Sequence, residues 1–236
     1  VIQSHNLMSE DDPYLYVIGS NYDEDAWGVA DLIILDISDP ANPYKIGEWN
    51  GDYLHDVCLY GDILYGCAFY VDGMYALDVS DKTNPTVIHS WEGIPSAHAC
   101  WVSEDGNTLF TASETSGGHI MSWDVSDFSN IEYLDEWMPE GGEEWSAHNV
   151  FVLGERLYIS YYVYGLQVLD VSDPSNLIRA AYYDTMDEVA ENSGIFDFPT
   201  VLDSSKKKYL FDPGNEDTQL VSWNILLHIL FVSISP

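Results

Sequence analysis

Four histidines recur at one phase of the chain: His5, His55, His98 and His148, spaced 43 to 50 residues apart. Each lies in a similar short phrase: Ser4-His5-Asn6-Leu7, Leu54-His55-Asp56-Val57, Ala97-His98-Ala99-Cys100 and Ala147-His148-Asn149-Val150. Neutral imidazoles that converge make a site for zinc, copper or iron. The competing reading is architectural, because a repeated buried histidine can bond the backbone of a neighbouring unit. A fifth phrase, Asn192-Ser193-Gly194-Ile195, keeps the phase without a histidine. Asn6, Asp56 and Asn149 directly follow three of the histidines. On a strand, successive residues face opposite ways, so these three are expected to support ligands or bridge units rather than to ligate.

The second recurring set is acidic. Leu35-Asp-Ile-Ser-Asp-Pro-Ala-Asn-Pro43 returns as Leu77-Asp-Val-Ser-Asp-Lys-Thr-Asn-Pro85, Trp123-Asp-Val-Ser-Asp-Phe-Ser-Asn130 and Leu169-Asp-Val-Ser-Asp-Pro-Ser-Asn176. Its aspartates are Asp36, Asp39, Asp78, Asp81, Asp124, Asp127, Asp170 and Asp173. Asp and Ser side chains close turns on backbone N–H groups, so the phrase reads first as a structural turn. A Ca2+ site there would need six or more oxygens. The insertion Asn21–Gly28 alternates acids but lacks the glycine position and terminal glutamate of an EF-hand loop, and reads as an acidic rim loop.

Other chemistries find no support. Ser4 beside His5, and Ser146 near His148, lack nucleophile-elbow glycines. No glycine-rich phosphate loop is present, and Glu143-Glu144 beside two glycines reads as a loop. The cysteines Cys58, Cys67 and Cys100 form no CxxC motif; Cys58 and Cys67 flank a hairpin turn and could pair. Trp91, Trp101, Trp123, Trp137 and Trp223 fall on strand periods and read as packing between units, while an exposed aromatic subset would stack on a glycan.

The elements that must position these residues follow from the period. The leading aspartates are spaced 42, 46 and 46 residues apart, and Val221-Ser-Trp-Asn-Ile225 is a worn fifth copy. Each period holds four short alternating runs rich in β-branched and aromatic residues. In the second, strands are expected over His55–Tyr60, Ile63–Tyr70, Met74–Val79 and Thr86–Trp91. Gly61-Asp62 reads as a two-residue hairpin turn with positive φ at both central residues. The fold class is therefore all-β, a β-propeller of about five four-stranded blades. The single domain 1–236 divides at about 1–50, 51–93, 94–143, 144–189 and 190–236, with Pro139–Glu144 an inter-blade loop and Ser204–Lys208 a solvated turn.

The Leu-Asp-Val-Ser-Asp-Pro-x-Asn-Pro phrase resembles the LVIVD repeat. The larger order, with Ser4-His5-Asn6, Gly51–Asp56 and His148-Asn149, is similar to the choice-of-anchor B extracellular propellers, from residue 1 to about 185. The resemblance implies a propeller that is secreted or attached to a cell surface, with no defined activity. The end departs from the pattern: after Asn224, the Ser-Asp-Pro turn is replaced by Ile225-Leu-Leu-His-Ile-Leu-Phe231. The ring is therefore expected to be incomplete, to close with another chain, or to belong to a longer protein.

Charge narrows the partners. Forty acids against seven bases give a net charge of −33. Nucleic acid binding needs clustered Lys and Arg, and is excluded. An anionic membrane surface would repel the chain, and the apolar run near residue 236 is too short to cross a bilayer as a helix. No signal peptide is visible in the sequence as it stands. The apolar strand 225–234 carries eight strongly apolar residues in ten and is expected to mediate self-association. Three functions fit: a non-enzymatic extracellular or cell-surface binding or scaffold module, a metal-dependent redox enzyme with axial histidine ligands, or a carbohydrate-binding propeller.

Overall fold

The computed structural model describes residues 4–9, 13–19 and 30–184. These residues form four antiparallel four-stranded meanders, each in the order of the chain. The first holds β1 (Asn6–Met8), β2 (Tyr14–Ile18), β3 (Leu32–Asp36) and β4 (Tyr44–Trp49). The second holds β5 (Val57–Tyr60), β6 (Ile63–Ala68), β7 (Gly73–Asp78) and β8 (Thr86–Glu92). The third holds β9 (Ala97–Val102), β10 (Thr108–Ser113), β11 (Ile120–Asp124) and β12 (Glu132–Trp137). The fourth holds β13 (Val150–Leu153), β14 (Arg156–Ser160), β15 (Leu166–Asp170) and β16 (Ile178–Tyr183). These are propeller blades. The expected fifth repeat at 190–236, with Trp223 and the strand 225–234, lies outside the described residues, as do Ser204–Lys208 and the acidic loop Asn21–Gly28. No helix among the described residues is long and apolar enough to cross a membrane.

The central strands of the second and third blades are buried on both faces, because each of these blades is packed between two others. Leu64 faces a core shared with Tyr16, Ile18 and Leu32 of the first blade. The next residue, Tyr65, points the other way, into a core with Cys100, Leu109 and Trp123 of the third. Ala99 and Phe110 repeat the arrangement against Val150, Leu157 and Tyr161 of the fourth. Alternation thus serves two cores at once, which explains why the inner strands read as nearly continuous apolar runs. The outer strands are more exposed, as in β8 and β16. Trp123 is buried, and Trp91, Trp101 and Trp137 pack against the inter-blade cores.

Each blade breaks register between its third and fourth strands, at Ile34/Leu35, Ala76/Leu77, Ser122/Trp123 and Val168/Leu169, and the third blade does so again between its first two strands, at Ala112/Ser113. The shared irregularity directly precedes the Asp-x-Ser-Asp turn, where it adds local twist. All eight turn aspartates close their turns in the same way. Asp36, Asp78, Asp124 and Asp170 each accept the backbone N–H of the serine two residues on, at 2.8–3.0 Å. Asp39, Asp81, Asp127 and Asp173 accept the N–H of residues 41, 83, 129 and 175 at 2.8–3.1 Å. Side-chain and backbone bonds from the serine two residues on hold the Asp36, Asp78, Asp124, Asp127 and Asp170 carboxyls below the usual range.

Two local expectations are corrected. Only Gly61 in the Gly61-Asp62 turn has positive φ, at 57°, with Tyr60 paired to Ile63. One glycine at the first central position suffices for a turn of the II′ kind, so Asp62 stays in ordinary backbone. The strand expected to run to Tyr70 ends at Ala68, because Phe69–Val71 forms a 3-10 turn closed by Asp72 in the left-handed region. Likewise Gly142–Glu144 is a 3-10 turn within the expected inter-blade loop.

The turns also lock neighbouring blades. A Cβ on Gly47 of β4 would lie 1.9 Å from the Lys82 carbonyl oxygen in the turn of the second blade. Ser122 Oγ donates to the Pro174 carbonyl at 2.6 Å, and Leu177 N–H to Asp135 at 2.7 Å, joining the third blade to the turn of the fourth. Backbone cannot yield to a methyl group as a flexible side chain can. Gly47→Ala should therefore cost about 3 kcal/mol of stability in denaturant titration, by overpacking. A loss below about 0.5 kcal/mol would remove this contact from the account of blade spacing.

Candidate metal centre

The four histidines stand at the starts of the first strands of successive blades. These strands, β1, β5, β9 and β13, lie side by side and form the inner wall. The backbone sets the position of three rings through one repeated bond. The N–H of His5, His55 and His148 donates to the carbonyl of Ile18, Cys67 and Ser160 on the neighbouring second strand, at 2.8–2.9 Å. The rings then form a row: centroids are 3.9 Å apart for His5–His55, 4.2 Å for His55–His98 and 4.2 Å for His98–His148. Residues up to 50 positions apart in sequence are thus brought into contact.

Hydrogen bonds within the row select the tautomer. His55 Nδ1 lies 3.3 Å from the His98 carbonyl oxygen, and His98 Nδ1 lies 2.9 Å from that of His148. A carbonyl only accepts, so Nδ1 carries the proton in both rings and Nε2 keeps its lone pair. This is the arrangement in which protein backbone orients a metal-ligating histidine.

Glu114 completes the site. It follows β10 and is tied down by its N–H bond to the Ser96 carbonyl at 3.0 Å. Its carboxylate sits 3.4 Å from His98 Nε2 and 4.0 Å from His148 Nε2. Tyr162 donates its hydroxyl to the same carboxylate. Two groups of ligand atoms fall within 4.8 Å of one another: His5, His55 and His98, and His98, Glu114 and His148. The turn aspartates form no such group among the described residues.

The electrostatics hold the rings neutral. Burial, reinforced by His148 and His55, pushes His98 down to about 2. Burial and the neighbouring His5 bring His55 down to about 4. Burial also lowers His5 and His148, with the Glu114 charge opposing it in both. At His98 this leaves an acceptor facing an acceptor. A neutral His98 that donates through Nδ1 to the His148 carbonyl has no proton on Nε2. A cation between the two groups, 3.4 Å apart, would satisfy both.

Of the residues following the histidines, Asn6 and Asp56 bridge two blades as expected from strand alternation, while Asn149 bonds within its own blade. Asn6 donates to Asp56 Oδ1 at 2.6 Å across the first two blades, and Asp56 also accepts Val57 N–H at 2.7 Å. Asn149 pairs with Ser160 through its backbone. Aromatic side chains border the row: Phe69 stacks on His55 at 5.1 Å, Tyr53 meets Tyr70 at 5.1 Å, and Tyr162 stands edge-on to His148 at 5.6 Å. Tyr70 is 71% exposed.

Glu114 escaped the repeat pattern because only one blade carries it: the fourth blade has Tyr161-Tyr162 at the end of its second strand. The one available signal was an acid immediately after a strand whose neighbour starts with a phase-locked histidine. The cysteines are all free thiols and all buried. The Cys58 sulfur lies 3.0 Å from that of Cys100, and the Cys67 thiol also shares a hydrogen bond with Cys100.

Comparison with known proteins agrees with this architecture. The LVIVD repeat family matches residues 25–50, 51–92 and 145–185. Comparison with curated proteins gives no match. Among solved structures, the chain is similar to a putative 6-phosphogluconolactonase from Bacteroides uniformis ATCC 8492, at 16% identity and a TM-score of 0.61, covering 79% of this chain and 58% of that one. A putative 6-phosphogluconolactonase from Bacteroides fragilis NCTC 9343 is similar at 11% identity and a TM-score of 0.58, covering 76% and 56%. The β-propeller domain of Myceliophteria thermophila Cps50 (Swd1) is similar at 13% identity and a TM-score of 0.50, covering 73% and 58%. The chain spans less than two thirds of each of these structures, and at such identities the likeness shows the fold alone.

Proposed function

We propose that this chain, which folds as a β-propeller and matches the LVIVD repeat over residues 25–50, 51–92 and 145–185, is a binding module that holds one transition-metal ion at the end of its inner wall. The observation that carries this reading is the acceptor-to-acceptor contact between His98 Nε2 and Glu114. His98, Glu114 and His148 make a two-histidine, one-carboxylate set, which suits zinc, copper or iron and keeps further coordination positions open. His5 and His55 make the alternative side of the same site, because His98 belongs to both groups. His98 Nδ1 is committed to a carbonyl, so its imidazole serves one ion at a time, and one ion per chain follows.

The module is proposed to work outside the cell or at its surface, as a binding or scaffold protein without catalytic activity. The charge of −33 supports this setting, since external salt and divalent ions relieve self-repulsion. The same field raises the local concentration of cations at the site. The open coordination positions also suit a metal-dependent enzyme, and turnover of any substrate by the loaded protein would favour that reading.

The test is metal retention. The purified protein is dialysed against zinc(II) or copper(II), then against metal-free buffer, and assayed for metal per chain. One ion per folded chain is expected, and His98→Asn, which can still donate to the His148 carbonyl, should lose it with an unchanged circular dichroism spectrum. No retained metal, or equal retention by the variant, contradicts the proposal.

A further inference from the structure

We propose that Cys58 and Cys100 are a disulfide pair that locks the second blade to the third, leaving Cys67 as the remaining thiol. The two residues sit on β5 and β9, the inner strands of adjacent blades, and both face the core those blades share. Their sulfurs are 3.0 Å apart, although 42 residues separate them in sequence. A disulfide needs about 2.0 Å, so closure takes a shift of about 1 Å between strands that already touch.

The Cys58–Cys67 pairing is disfavoured by the ladder. Cys58 is opposite Tyr65, so Cys67 is its diagonal neighbour two residues along. Diagonal cross-strand positions are about 7–8 Å apart, beyond the usual reach of about 4.4–6.8 Å between the Cα atoms of a disulfide. The Cys67 thiol also shares a hydrogen bond with Cys100, so a Cys67–Cys100 link is the competing inter-blade pairing, which the peptide map below separates from Cys58–Cys100. The inference is independent of the metal site: it uses no histidine and no bound ion.

The bond needs an oxidant, which we take to be an external disulfide such as oxidised glutathione. The thiolate of one cysteine attacks a sulfur of the external disulfide, forming a mixed disulfide and releasing one thiol. The thiolate of the second then attacks the protein sulfur of that mixed disulfide, releasing the other thiol. Cys58 and Cys100 together lose two protons and two electrons, and the external disulfide is reduced to two thiols. All three cysteines are buried in the folded chain, so the exchange belongs to the stage before these blades close.

The experiment is refolding of the full chain in a glutathione redox buffer, followed by unfolding in guanidinium with an alkylating agent and no reductant. One alkylated cysteine per chain is expected, at Cys67, with a linked peptide containing Cys58 and Cys100 and a mass lower by two hydrogens. Reductant should lower the melting temperature of this form. Cys67→Ser should keep the same link and expose no thiol to alkylation. Three alkylated cysteines, a link that includes Cys67, or loss of the link in Cys67→Ser would each overturn the proposal.

Discussion

Saturating copper(II) or zinc(II) should raise the melting temperature of this protein by about 8–16 °C. A ligand at a thousand times its dissociation constant stabilises the folded state by about 4 kcal/mol, and a chain of this size gains about 2–4 °C per kcal/mol. The effect should depend on His98, which contributes to both candidate ligand groups. His98→Asn is expected to remove the shift, while Glu114→Gln keeps the shape of the site and should reduce it. Magnesium is the control. A surface carrying −33 collects any divalent ion, but magnesium prefers oxygen ligands and should leave the melting temperature nearly unchanged. An equal shift with magnesium, or an undiminished one in His98→Asn, would assign the effect to the surface charge instead.

The second large effect is acid sensitivity of the metal-free protein. Stability should fall by about 4 kcal/mol between pH 7 and pH 5, roughly 2 kcal/mol from each of His55 and His98. The sign follows from the depressed values. With His55 at about 4 and His98 at about 2 in the folded chain, the unfolded chain binds more protons from about pH 6.5 downward. Stability is therefore complete above that point and falls as the pH drops. His5 and His148 shift in the same direction. The turn aspartates contribute lower in the scale. Serine bonds hold Asp36, Asp78 and Asp124 down, so their share is present above about pH 4 and is lost as the pH falls through the depressed values. Guanidinium titrations of the metal-free protein across this range should show the loss, and a His55→Asn, His98→Asn double variant should show a much flatter profile. A variant with the same slope would mean that other groups control the acid transition.

What the sequence made legible follows from repetition. The eight turn aspartates were readable because each blade needs the same closure, and all eight accept the N–H two residues on. The histidine row was readable for the same reason: equal phase in successive blades puts side chains at equal height on the inner wall. Features confined to one blade were not readable in this way. Glu114 is an acid at one strand end only, and its role appears once β9, β10 and β13 are placed together. The contact between Cys58 and Cys100 depends on how one blade stacks on the next, which strand alternation alone does not specify. Alternation did show why Asn6 and Asp56 join two blades instead of entering the histidine row. At Gly61-Asp62, the two-residue length of the loop was legible, while the choice between turn types rested on a backbone preference that either pair of dihedrals could meet.

The central claim is that imidazole nitrogens at the end of the inner wall hold a metal ion. It is tested most directly by electron paramagnetic resonance of the copper(II)-loaded protein at one equivalent. The account predicts a single copper species with superhyperfine coupling from imidazole nitrogen, which His98→Asn weakens or abolishes. A spectrum of oxygen ligands alone, as from copper held by surface carboxylates, or one that His98→Asn leaves unchanged, would contradict it.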